Sequence, residues 1–174
     1  MTCILSYTKM SRITYTLELQ VTEQGKIFYP PVGTVETPSA DNAGYDLKVV
    51  YDQIPLDDAG LVPLGVKARM TKETVHDHDI TILEDSHFTL EPRSSIYKSG
   101  FMMANGRGII DKTYRGQLMA PLVSVGQTKR HIEAGTRLFQ ILAPDLGHIS
   151  KVVYVDSLPE TIRGEGGFGS TGLK

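Results

Sequence analysis

The chain has 174 residues, a formal net charge of -2, and 40% hydrophobic and 22% charged residues. That length suits one domain with a full core, and the near-neutral charge excludes a global field that would gather nucleic acid or an anionic membrane. The single cysteine, Cys3, excludes an internal disulfide and suits a reducing compartment, and no apolar run approaches the roughly 20 residues of a membrane span.

Taken in order, residues 1–11 carry little pattern and are expected to fray. Their start, Met1 to Tyr7, lacks a basic head and a long apolar stretch, which reads against a signal peptide and for an intracellular protein, cytoplasmic or nuclear. Arg12 to Val21 alternates apolar or β-branched residues with polar ones, the period of a half-buried strand. Pro30-Pro31, Pro38 and Asp41-Asn42 mark a loop. Ala43-Gly44-Tyr45-Asp46-Leu47 then leads into a strand at Lys48 to Tyr51, and Leu61 to Met70 is another, with Pro63 near its start. Residues 71–86 are more charged and suggest a hairpin insertion. Within them, His76-Asp77-His78-Asp79 places two imidazoles on one strand face, but no third ligand follows, and a solvated loop is the better reading.

Phe88 to Pro92 ends a strand. Ser94 to Ser99 predicts the one short helix, with Ser94 as its cap and Gly100 beyond its end. Further strands are expected at Arg107–Ile110, Gln117–Val125, Arg130–Ile132, Thr136–Ala143 and Lys151–Val155. Many short strands, frequent turn residues and almost no helix predict a single all-β domain over residues 1–174, a jelly-roll-like β-barrel. Residues 163–174 are too glycine-rich to hold a fold and are expected to form a mobile arm unless a ligand orders them.

Four stretches carry residue types suited to a nucleotide. Asn105-Gly106, between Phe101–Ala104 and Arg107–Ile110, is a strong hairpin signal, and Asp111 and Tyr114 follow it. Exposed backbone N–H and C=O groups at such a tip are able to read a flat polar ring. Pro92-Arg93-Ser94-Ser95 puts a guanidinium and two hydroxyls at a helix start, which fits an anion as well as an ordinary cap. Gly135 to Gln140 reads first as a structural strand in which Arg137 pairs with a carboxylate. In Arg163-Gly164-Glu165-Gly166-Gly167-Phe168-Gly169-Ser170-Thr171-Gly172, an isolated Phe has no core to join and suits stacking on a base. Neither a Walker loop nor a dinucleotide fingerprint is present.

In their order, Ala43–Leu47, Pro92–Ser95, Gly108–Gly116, Gly135–Gln140 and Arg163–Gly172 resemble the five motifs of the trimeric dUTPase family. The resemblance implies a β subunit in a homotrimer with active sites at subunit interfaces. It also implies magnesium-assisted hydrolysis of dUTP to dUMP and pyrophosphate, which keeps uracil out of DNA and supplies dUMP for thymidylate synthesis. By position, Asp111 resembles the carboxylate that activates the attacking water, and Tyr114 the ring that packs under deoxyribose. Asn105 with the backbone from Gly106 through Gly108 to Ile110 resembles the uracil reader. Arg93, Ser94, Ser95 and Gln140 resemble phosphate ligands, and Arg163, Phe168, Gly169, Ser170 and Thr171 the closing arm. Asp46 resembles the first-motif acid, which serves the metal's water shell or local structure. The resemblance implies no direct protein ligand to magnesium, which substrate phosphates and waters would hold.

Three departures stand out. Ser95 replaces the usual Gly, Lys112-Thr113 precedes Tyr114 where small or acidic residues are commoner, and the segment from Leu47 to Pro92 is long. Ser95 moves the second motif towards the related dCTP deaminases. Those enzymes carry a proton-moving Glu a few residues beyond the third motif, where this chain has Ala120-Pro121-Leu122. A regulatory protein without turnover would be expected to have lost Asp111 or the arm, and both are present.

Overall fold

The computed structural model describes residues 11–52, 60–76, 80–125 and 131–167. Its strands form two sheets. The larger contains β1 (Arg12–Val21), β2 (Val35–Glu36), β4 (Gly60–Val75), β5 (Thr81–Ser86), β7 (Phe101–Met103), β9 (Gln117–Ser124) and β11 (Ile149–Val155), in the order β2-β11-β1-β4-β9-β7 with β5 beside β4. The smaller contains β3 (Gly44–Lys48), β6 (Phe88–Pro92), β8 (Gly108–Ile110) and β10 (Arg137–Leu142), in the order β3-β10-β6-β8. All pairs are antiparallel except β1 with β11. The all-β expectation holds, but the two sheets stay separate and do not close into a barrel.

The reason for two layers lies in the alternation. Along β1, Tyr15, Leu17 and Leu19 point inward while their neighbours stay wetter. Leu47, Phe88, Leu90, Phe139 and Ile141 do the same from the smaller sheet, and both sets join one apolar cluster. β4 serves two partners on one edge: its first half pairs with β9, and from Met70 to Val75 it pairs with β5 down to Val75↔Thr81. Among the described residues no helix is long and apolar enough to cross a membrane.

Three local expectations change. The predicted strand at Lys48–Tyr51 starts earlier, because pairing with β10 runs from Gly44 to Lys48. The short helix at Ser94–Ser99 is a 3-10 helix whose cap position is Arg93, not Ser94, with no side-chain capping bond. Asn105-Gly106 does turn the chain, with Gly106 at φ +66°, but it does not close a two-stranded hairpin. β7 pairs with β9 and β8 with β6, so the turn carries the chain from one sheet to the other. A turn signal reports local φ and ψ; which strands then pair is decided by tertiary burial.

Candidate active site

β8 is the outer strand of its sheet, so one row of its backbone groups has no ladder partner. That edge opens into a cavity of about 190 Å³ lined by Asn105, Gly108, Ile110, Asp111, Tyr114 and Arg163, with Leu90, Met103 and Leu118 behind them. Tyr114 is 8% exposed, and its hydroxyl donates to the Gln117 carbonyl at 3.1 Å. Burial, followed by the nearby Glu165 carboxylate, raises its pKa, so the phenol stays neutral. The next turn fits tightly: a Cβ on Gly116 would stand 2.4 Å from the Tyr114 hydroxyl.

Asp111 stands at the cavity edge with two cationic or potentially cationic neighbours. The Arg163 guanidinium donates to its Oδ2, and His87 Nδ1 lies 3.5 Å from its Oδ1. His87 was not among the residues read from sequence. The same Nδ1 accepts the Lys112 backbone N–H at 3.2 Å, which calls for the tautomer protonated on Nε2. His87 sits between β5 and β6, far along the chain from Asp111, and no local motif marks it.

A second, more polar cavity of about 590 Å³ gathers Asp46, Arg93, Ser94 and Gln140, with Arg137 and Asp41 on its walls. Asp46 spans two arginines: Oδ1 meets Arg93 Nε at 2.8 Å, and Oδ2 meets Arg137 Nη1 at 3.3 Å. Both guanidiniums are thereby aimed at one space. Gly44 packs close beside it: a Cβ there would stand 2.5 Å from Gln140 Oε1 and would push that amide aside. On the cavity wall the Tyr45 hydroxyl donates to Glu36 Oε2 at 2.7 Å and meets the hydroxyl of the buried Tyr154 at 2.5 Å. Ser95 lines an adjoining hollow with Lys98 and His131 instead of this one. The two main cavities share no lining residue. Phe168, Gly169, Ser170 and Thr171 lie outside the described residues.

The dUTPase family model matches residues 34–172, most of the chain. The chain belongs to the dUTPase family. Deoxyuridine 5'-triphosphate nucleotidohydrolase of Escherichia phage T5 is 37% identical over 140 residues, which cover 78% of this chain and 89% of that protein. The enzyme of the same name from Rickettsia prowazekii (strain Madrid E) is 33% identical over 138 residues, covering 76% and 83%. Among solved structures, dUTPase from Streptococcus mutans superposes with a TM-score of 0.52 at 22% identity, covering 83% of this chain and 99% of that one, a likeness of fold. Of the five stretches singled out in the sequence, residues of Gly108–Gly116 and Arg163–Gly172 line the first cavity, and residues of Ala43–Leu47, Pro92–Ser95 and Gly135–Gln140 line the second. At the position where a deaminase would carry its Glu, Ala120 and Leu122 are buried apolar members of the core.

Proposed function

We propose that this chain hydrolyses dUTP to dUMP and pyrophosphate, with Asp111 taking a proton from the water that attacks the α-phosphate. One observation carries the reading: an apolar cavity beside a free strand edge holds Asp111 and Tyr114 together with Asn105, Gly108 and Ile110. Uracil lies against β8, where backbone donors and acceptors meet its edge; cytosine presents an amino group to the same donors and leaves them unpaired. Deoxyribose lies on the Tyr114 ring, which leaves no room for a 2′-hydroxyl. The water oxygen bonds to phosphorus, the bond to the pyrophosphate oxygen breaks, and Asp111 holds the released proton. In the free chain Arg163 occupies Asp111. On binding, Arg163 exchanges that carboxylate for a phosphate oxygen and leaves Asp111 open to water.

The phosphates take Arg93, Ser94 and Gln140. Because the two cavities share no wall, the reading places the phosphate cavity of one chain against the Asp111 cavity of another in a symmetric homotrimer. Magnesium, which the family implies, fits this set through hard oxygen donors: Asp41 and Asp46 stand on the wall, able to take hydrogen bonds from the ion's waters while the phosphates hold it. When bound it neutralises phosphate charge. Residues Arg93 and Arg137, fixed by Asp46, stabilise the charge that develops on the leaving group.

Purified protein incubated with dUTP or dCTP and magnesium tests this directly. Pyrophosphate from dUTP alone is expected. Ammonia from dCTP, or no turnover of either nucleotide, would overturn the reading.

A further inference from the structure

The segment from Leu47 to Pro92 is long because β4 runs for 16 residues and returns as β5, with pairs from Met70↔Ser86 to Val75↔Thr81. One residue of that return strand reaches the loop between Asp111 and Tyr114. Asp85 Oδ2 accepts from Arg115 Nη2 at 3.3 Å, and its Oδ1 accepts from Arg69 Nε at 2.9 Å and Nη2 at 2.6 Å. Arg69 in turn donates from Nη1 to Glu18 Oε2 at 3.0 Å. The sheet register sets this line out. Glu18 stands opposite Arg69 across β1 and β4, and Asp85 stands opposite Thr71, two residues along from Arg69. From Glu18 to Arg115 the charges alternate in sign.

Arg115, at the end of the line, is 7% exposed. A guanidinium so deep needs an opposite charge, and among the described residues Asp85 is the one carboxylate it meets. Its other donors go to carbonyls: Nη1 to Lys112 at 2.8 Å and to Tyr114 at 2.9 Å, and Nε to Pro159 at 2.9 Å. The group is planar and its donors hold fixed angles, so aiming Nη2 at Asp85 also fixes where Nη1 stands, and with it the Lys112 carbonyl. Lys112 follows Asp111 by one peptide bond. Tyr114 depends less on this clamp, because its ring is buried and its hydroxyl is bonded to the Gln117 carbonyl. Asp111 depends on it more: its side chain is 43% exposed and takes its direction from the backbone that carries it. Neither Asp85 nor Arg115 lines either main cavity.

We propose that Asp85 is a positioning residue for the Asp111 base, acting from outside the cavity through the Arg115 guanidinium. The β4–β5 hairpin is thereby coupled to the chemical step. Proton transfer needs the carboxylate in place, and a misplacement of about 1 Å costs on the order of 10²-fold in rate. Substrate binding is spared, because Asp85 touches neither cavity. The proposal rests on dUTP hydrolysis with Asp111 as base, so wild-type turnover of dUTP is measured first. Failure there removes that reading, whereas normal wild-type turnover with an unaffected Asp85 variant removes only the positioning role.

Asp85→Asn tests it, since the amide keeps the shape and one acceptor and loses the charge. Sites are counted by titration with a non-hydrolysable dUTP analogue, so that kcat is read per folded site. That kcat should fall about 10-fold, with calorimetric affinity for the analogue within about threefold of wild type. Glu84→Gln, one residue away on the same strand and paired with Lys72 instead, should leave kcat as it is. The decisive readout is the combination with Asp111→Asn. Because Asp85 acts through Asp111, the double variant should turn over no more slowly than Asp111→Asn alone. A further loss as large as that of Asp85→Asn by itself would mark a general structural role and overturn the proposal. So would a kcat within about twofold of wild type in Asp85→Asn. If Asp85→Asn does not fold, Arg115→Lys decides: it keeps a charge beside Asp85 but lacks the planar fork. The same fall in kcat at unchanged analogue affinity is then expected, and wild-type kcat would overturn the proposal.

Discussion

The Asp111 cavity and the Asp46 cavity differ in how their polar groups are held. Around Asp111 the walls are Leu90, Met103, Ile110 and Leu118, and recognition falls to a few backbone groups, one carboxylate and one ring. Around Asp46 the walls are charged, and each guanidinium is braced by a shared carboxylate. The first suits a flat, largely neutral nucleoside and sits in about 190 Å³; the second suits a hydrated polyanion and opens to about 590 Å³. A small apolar cavity discriminates by shape and by unpaired donors, whereas a braced cationic one supplies affinity and charge stabilisation. Substitutions should therefore separate chemistry and base choice from phosphate binding.

The largest effect is expected at Asp111. Asp111→Asn keeps the side-chain shape and removes the base, so kcat should fall on the order of 10²–10⁴-fold. Calorimetric affinity for dUTP should stay within a few fold. Near-normal turnover in this variant would remove Asp111 from the proton transfer.

Arg93→Ala attacks the other cavity. Losing a charge-assisted contact of about 1.5–3 kcal/mol should lower kcat/KM for dUTP roughly 10- to 100-fold. Inhibition by deoxyuridine, which lacks phosphates, should not move. If deoxyuridine binding weakened in parallel, the division between the two cavities would fail.

His87→Ala is the next step down and sharpens the picture of how Asp111 is held. The imidazole accepts the Lys112 N–H and stands beside Asp111, so it positions the loop on which the carboxylate sits. A fall in kcat of about 3- to 10-fold with little change in KM is expected, in line with the weaker end of such outer contacts. His87→Asn restores an acceptor near the place of Nδ1 and should recover most of the loss. Equal losses in both variants would mean that the acceptor has no part.

These outcomes bear on what a sequence can disclose. The alternation over Arg12–Val21 is a local property, and the strand occurs with those ends and with Tyr15, Leu17 and Leu19 inward. The residues of each motif are also close neighbours, so Asp111 with Tyr114 and Arg93 with Ser94 arrive together. Contacts between distant stretches were not legible. His87 beside Asp111, Glu165 on Lys67 and the buried Arg115 holding Pro159 each join stretches with no pattern in common. The destination of the Asn105-Gly106 turn was hidden for the same reason: its glycine reveals the bend but not that β7 and β8 belong to different sheets.

The smallest effect at working pH lies on the wall of the Asp46 cavity and emerges only in alkali. Burial pushes the Tyr154 phenol up to about 12, with the Tyr45 hydroxyl pulling the other way and Glu36 adding to the rise. Burial also raises Tyr45, followed by its contacts with Tyr154 and Glu36. A phenol raised above its unfolded value of about 10 favours the folded chain fully below that pH. The contribution is lost as pH climbs through the folded value, because the unfolded chain sheds the proton first. Denaturant midpoints should thus hold level from pH 7 to about 9 and fall from about 10 towards 12. Tyr154→Phe removes one of the two hydroxyls and should flatten that alkaline fall while leaving Asp111-dependent turnover near neutral pH in place. An unchanged alkaline slope in the variant would show that the loss arises elsewhere, with Tyr15, also raised to about 12 chiefly by burial, as the next phenol to replace.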